Sequence, residues 1–219
     1  MCAGNSNWGE IAVQHGWLYG CRLPAEKPTQ TLYFADQDWK KPDRARYIAS
    51  LEKYQPQMAT VLDLERENQL DEVMGWAEDA ARIVQTVIII PKVYGIIDHI
   101  PDRIGGADVV LGMPAGKHSG QAPPLWEFGR RPVHLLGGSP QKQMMLACYL
   151  NVVSADGNMA CKMATSRAAF WRKEKGLKGH WVNLREIGRG DEHDAPYAAF
   201  DLSMQNIMAA WKERLTGYC

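Results

Sequence analysis

The chain has 219 residues, and its 25 Lys and Arg are balanced by 25 Asp and Glu, so the formal net charge is zero. That balance excludes a nucleic-acid binder driven by overall charge and leaves only local basic clusters for such a role. A hydrophobic fraction of 46% with 23% charged residues is the composition of a folded chain, and no apolar run approaches the roughly 18 residues of a membrane span.

Taken in order, the polar start MCAGNSNWGE carries no secretory signal, and WLYG (17–20) reads as a first short strand. LYFAD (32–36) is a strand, followed by a helix over KPDRARYIASLEKY with Pro42 near its start and Ile48, Leu51 and Tyr54 on one face. ATVLD (59–63) is the next strand. Leu70, Val73, Met74, Ala77, Ala80, Ala81 and Val84 then recur at helical spacing. TVIIIPK (86–92) is a continuous apolar run, which suits a parallel strand covered on both faces. DVVLGMP (108–114) and PVHLLGG (132–138) read as further strands. SPQKQMMLACYL is a helix with Ser139 as N-cap and Pro140 at its first position. NVVSAD (151–156) is a strand, MACKMATSRAAFWRK a helix, and DLSMQNIMAAWKERL the last helix.

Alternation of this kind predicts parallel strands joined by right-handed crossovers. About seven strands come close to a compact (β/α)8 barrel, predicted as one domain over 1–219, with 176–219 a C-terminal segment and helix packed on the barrel. An open doubly wound sheet is the alternative, but no GxGxxG follows any strand.

In a parallel barrel the chemistry sits at the C-terminal strand ends. Those ends carry Asp36, Asp63, Lys92, Gly112, Gly137 and Asp156. A single Asp there is as readily a turn or helix cap. Three on one rim repel one another, and that crowding suits a reaction at an acetal-like carbon. One carboxylate attacks while a second handles the proton. The turn LLGGSPQKQ, opening a helix at Ser139, is a candidate anion site. Of the six histidines only His134 falls in a strand, where a satisfied core residue is the ordinary role. The five cysteines are scattered without CxxC spacing, so neither a disulfide framework nor a zinc site is expected, and the cytoplasm is the expected compartment.

YFADQDWKKPDR, ATVLDLE, VIIIPK, HLLGGSPQKQM and SADGNMACKMAT, in this order and spacing, resemble the tRNA-guanine transglycosylase superfamily. They are most similar to its phage and bacterial branch, the DNA-guanine transglycosylases. The resemblance spans residues 5 to 215. It implies a modified (β/α)8 barrel that exchanges guanine in DNA for a free 7-deazaguanine base, such as 7-cyano-7-deazaguanine, through a covalent glycosyl-enzyme. Phage DNA so modified would evade restriction, and the host cytoplasm would be the setting. Matched by motif, the nucleophile falls on Asp156 and the proton-handling aspartate on Asp36. The residue gripping the base edge falls on Asp63, the backbone contact on Gly112, the apolar floor on Leu136 and an aromatic cover on Trp39. For the nucleic acid the candidates are Lys40, Lys41, Arg44, Lys92, Lys117 and Ser139. No cofactor is implied, and a homodimer or partner modification enzymes are expected companions. The tRNA enzymes carry a CxCxxC motif with a His around zinc. This chain has no such cluster, which favours DNA over tRNA. A purine-binding barrel without turnover and a glycoside hydrolase built on the same pair of carboxylates are the remaining alternatives.

Overall fold

The computed structural model describes residues 6–116, 122–174, 178–189 and 194–215. An initial helix, α1 (Ser6–Gln14), leads into β1 (Gly20–Leu23) and β2 (Phe34–Gln37). The strands β3 (Met58–Thr60), β4 (Thr86–Ile89), β6 (Ala107–Pro114), β7 (Val133–Leu136) and β8 (Val152–Ala155) continue the sheet. Its order is β1-β2-β3-β4-β6-β7-β8, with every neighbouring pair parallel. The two-residue β5 (Arg103–Ile104) is an antiparallel appendage on β6.

Three crossovers carry α-helices: α2 (Arg44–Tyr54), α3 (Leu70–Ala81) and α4 (Pro140–Leu146). Asp43 caps α2 by accepting from the Arg46 amide at 3.1 Å. Tyr47 is buried, and its hydroxyl donates to the Thr60 carbonyl at 2.7 Å, fastening α2 to the sheet beneath. The other connections are loops and short 3-10 turns among the described residues.

The parallel alternation is seen, but closure by an eighth strand is not. β1 and β8 form the two ends of the sheet and do not pair with each other. What borders the gap is the last helix, α6 (Ala195–Leu215). Phe200, Met204, Ile207 and Met208 line the same cavity as Gly20 of β1 and Ser154 of β8. Trp17, just before β1, donates its indole N–H to the Met204 carbonyl at 3.1 Å. The sheet is thus a curled half-barrel of parallel strands whose open side faces a helix.

The interior of the curl is packed by Phe34, Met58, Ile88, Ile90 and Val110. Outside it, Val87, Ile89 and Leu111 meet Leu51 and Trp76 of the crossover helices. Both faces of β4 and β6 are therefore covered, as a continuous apolar run requires.

The helix expected over 159–173 is two elements. α5 (Met159–Arg167) ends at Ala168, whose φ of 46° is left-handed. β9 (Ala169–Lys173) follows and pairs antiparallel with β10 (Gly179–Asn183). Phe170 and Trp171 prefer the extended state, and Trp171 lies where a side chain at residue 179 would sit, so Gly179 makes room for it. This hairpin packs with α1, α5 and α6 around Trp8, Phe170, Trp171 and Phe200. No helix among the described residues is long and apolar enough to cross a membrane.

Candidate active site

The two ends of the sheet and α6 enclose a cavity of about 710 Å³. Asp36 from β2 and Asp156 from just beyond β8 both line it. Asp36 is held by Thr60, whose Oγ1 donates to Oδ1 at 3.1 Å and accepts from the Gln37 amide at 2.7 Å. Burial, then the charge of Asp156, then that of Asp63 push the Asp36 pKa up to about 7, against the pull of Thr60 and Arg22. A carboxyl poised near neutrality can give and take a proton.

Asp156 reaches the cavity through an irregularity in pairing. Val133 pairs with Val152, but His134 pairs with Ser154, so Val153 is an extra residue. A bulge of this kind re-aims the side chains that follow it. Val153 is left 55% exposed, which is why the apolar spelling of VVSAD overstates the burial of β8. Ser154 then faces His134, with Oγ 2.8 Å from Nδ1. Asp156 donates its amide to the Leu135 carbonyl at 2.9 Å. Its Oδ1 accepts from the Gly137 amide at 2.6 Å, and its Oδ2 accepts no hydrogen bond from the described residues. Gln143 of α4 clips the two loops together, donating to the carbonyls of Gly137 at 2.7 Å and Asp156 at 2.5 Å. Gly138 has φ of +87° and a Cβ there would lie 2.6 Å from the Ala115 carbonyl oxygen, so this turn requires glycine.

Cys21 is a free thiol on the cavity wall. Burial, Glu26 and Asp36 push its pKa up to about 12, so it is no thiolate nucleophile at neutral pH. His134 is buried, and burial holds its pKa below the usual value against the pull of Asp156.

The other residues singled out by sequence fall in several places. Asp63 does not line this cavity. It pairs with Lys92, Oδ2 to Nζ 2.7 Å, and Lys92 also meets Glu65 at 2.9 Å. Burial lowers the Lys92 pKa, but these two carboxylates outweigh it and hold the ammonium charged. Lys92 is therefore tied to protein carboxylates instead of standing open to a phosphate. Gly112 and Leu136 face the interior of the curl, where a Cβ on Gly112 would lie 2.5 Å from Ile90 Cγ1. Neither Gly112, the expected backbone contact, nor Leu136, the expected floor, lines the cavity that holds Asp36 and Asp156; both pack against Ile88 and Ile90. Trp39 is 58% exposed and carries Lys40 over its ring at 5.4 Å.

Arg44 is committed to α3: it donates to the Gly75 carbonyl at 2.6 Å and pairs with Asp79 at 2.7 Å. Ser139 is an N-cap, accepting from the Lys142 amide at 3.3 Å, on a helix of only seven residues. Lys40 and Lys41 remain on the surface and border a smaller hollow with Arg22 and Arg46. Lys117 lies outside the described residues. Among the described residues no group of three or more His, Cys, Asp or Glu is placed to hold a metal ion.

Sequence reasoning missed His134, Ser154, Thr60 and Arg22. Thr60 and His134 sat inside strands that read as apolar, and Arg22 lay beyond the expected end of β1. The signal for Arg22 is its register, directly opposite Asp36 in the β1–β2 pair.

No curated protein and no solved structure matches this chain. Residues 12–212 match the model described as a family of unknown function, DUF6610, and the chain belongs to that family.

Proposed function

We propose that the protein is a base-exchanging glycosyltransferase that replaces guanine in DNA with a free 7-deazaguanine base. The observation that carries this reading is the pair of aspartates, Asp36 and Asp156, lining one cavity, coupled electrostatically, with Asp36 brought to a pKa of about 7. Two carboxylates in different surroundings suit nucleophilic substitution at an anomeric carbon. The resemblance of the strand-end motifs to the guanine transglycosylases supplies the substrate class. On this reading the half-barrel is a reduced form of that family's (β/α)8 barrel.

The first half-reaction forms a bond between Asp156 Oδ2 and C1′ and breaks the bond from C1′ to guanine N9. The electron pair goes to the base, which takes a proton from Asp36. In the second half, the incoming 7-deazaguanine gives its N9 proton to Asp36. It bonds to C1′, and the Asp156 carboxylate departs. Two displacements retain the configuration at the sugar. The apolar α6 wall, with Met204 and Met208, is where the base packs, since it lines the cavity of Asp36 and Asp156 and Gly112 and Leu136 do not. Asp63 acts through the field it places on Asp36. Gripping the base edge would require Lys92 to move off it. A paired guanine must be flipped out of the duplex to reach this cavity, and Lys40 and Lys41 offer contacts to phosphates.

The test is incubation with radiolabelled guanine and either duplex DNA or tRNA. Label entering DNA alone supports the reading. Label entering tRNA alone moves the activity to tRNA. Purine binding without any incorporation indicates a binding barrel.

A further inference from the structure

His134 has a place in this site that its burial alone does not explain. It lies on β7 opposite Ser154, is 2% exposed, and packs its ring against Phe34 with centroids 5.1 Å apart. Nδ1 is 2.8 Å from Ser154 Oγ. Nε2 is buried without a hydrogen-bond partner and points to Asp156 Oδ1 at 4.0 Å. A buried polar atom left unpaired costs stability unless something compensates for it.

A neutral imidazole carries one N–H, and two tautomers are open to it. With the proton on Nδ1, donating to Ser154, the Nε2 lone pair would face the carboxylate. With the proton on Nε2, the Ser154 hydroxyl donates to Nδ1 and the N–H dipole faces Asp156. Only the second arrangement is attractive at both ends.

We infer that His134 is a positioning residue for Asp156: its Nε2–H, fixed by Ser154, approaches Oδ1 in the bound state and steadies that oxygen as the sugar leaves Oδ2. This rests on the reading of Asp156 as nucleophile. At 4.0 Å the contact is not yet a hydrogen bond, and a shortening of about 1 Å makes it one, beside the existing bond from the Gly137 amide. His134 transfers no proton. Its effect is on charge. Donors to Oδ1 favour the carboxylate over the neutral glycosyl ester, so they assist the step in which the sugar leaves Asp156 and the electron pair returns to it. Losing the donor leaves the ester longer-lived.

Two measurements test this. The first needs no substrate: two-bond 15N–1H correlation spectra of the full chain report the His134 tautomer. The proton is expected on Nε2, with the Nε2–H signal shifted in Asp156→Asn. A proton on Nδ1 overturns the inference whatever the activity.

The second uses a labelled DNA strand with free guanine and a denaturing gel. His134→Leu should lower turnover about tenfold to a hundredfold, the worth of one bond to a charged group. It should also raise the steady-state fraction of enzyme covalently joined to DNA. His134→Gln keeps an N–H donor and should restore much of the turnover and the lower fraction. Equal behaviour of Gln and Leu, with both folded, overturns the inference. Absence of any adduct or exchange in the wild type overturns the proposed function, and the tautomer still decides the geometry claimed for His134.

Discussion

Asp36 is where the requirements of the proposed reaction and of folding oppose each other. Its ordinary pKa of 3.8 is raised to about 7, chiefly by burial and then by Asp156. Between those pH values the folded chain holds a proton that the unfolded chain has released. Stability therefore falls as pH rises from about 4 to about 7 and stays lower above that. The gap corresponds to at most about 4 kcal/mol, less what solvent screening removes from a half-buried group. Asp36→Asn should thus melt higher than wild type at pH 8, differ little at pH 4, and lose base exchange. Thermal denaturation at both pH values checks it, and equal melting shifts at the two would show that Asp36 is ionised throughout. This conflict was legible only in part. The sequence places aspartates at strand ends, but not the neighbours that set their proton affinity, because Thr60 and Asp63 are brought to Asp36 by the β2–β3 pairing and Asp156 by the curl of the sheet.

Elements explain most of the departures from the sequence reading. Periodicity located the parallel strands because each is a short apolar run bounded by polar turns. It overran α5 because Ala168 to Trp171 continue an apolar spelling that fits helix or strand equally. The partner that decides, β10, lies beyond it in the chain. The same limit hid the bulge at Val153, which exists only relative to β7.

Gly112 shows how packing reassigns a residue. A methyl added there meets Ile90, Ile88 and Leu136, so Gly112→Ala should destabilise by about 1–3 kcal/mol. Combined with Ile90→Ala, the total loss should be smaller than the sum of the two single losses. A double variant no better than the sum of the singles would deny the contact. Arg44 and the Lys40–Lys41 pair separate along the same lines. Arg44→Ala should lower stability by up to about 1 kcal/mol, as its ion pair is partly exposed, and leave DNA affinity unchanged. Lys40→Ala with Lys41→Ala should do the reverse, weakening DNA binding and flattening its salt dependence by about two phosphate contacts. Fluorescence anisotropy over a salt series distinguishes them.

For the whole molecule, the parallel sheet curls without β1 and β8 pairing, and α6 stands beside those two ends. That arrangement sets the cavity between the first and last strands, with α6 as its further wall. Composition hinted at none of this, since the amphipathic spelling of α6 says that it packs and not what it packs against. Met204, Ile207 and Met208 give that wall an apolar surface. In the proposed reaction Asp156 becomes covalently bonded to the sugar while Asp36 moves the proton. Its most direct test is to quench the enzyme with a guanine-containing DNA strand, digest it, and map the strand-linked peptide by mass spectrometry. Linkage is expected at Asp156, lost in Asp156→Asn and retained in a folded His134→Leu variant. Linkage at Asp36 or Asp63, or base exchange that persists in Asp156→Asn, would contradict it.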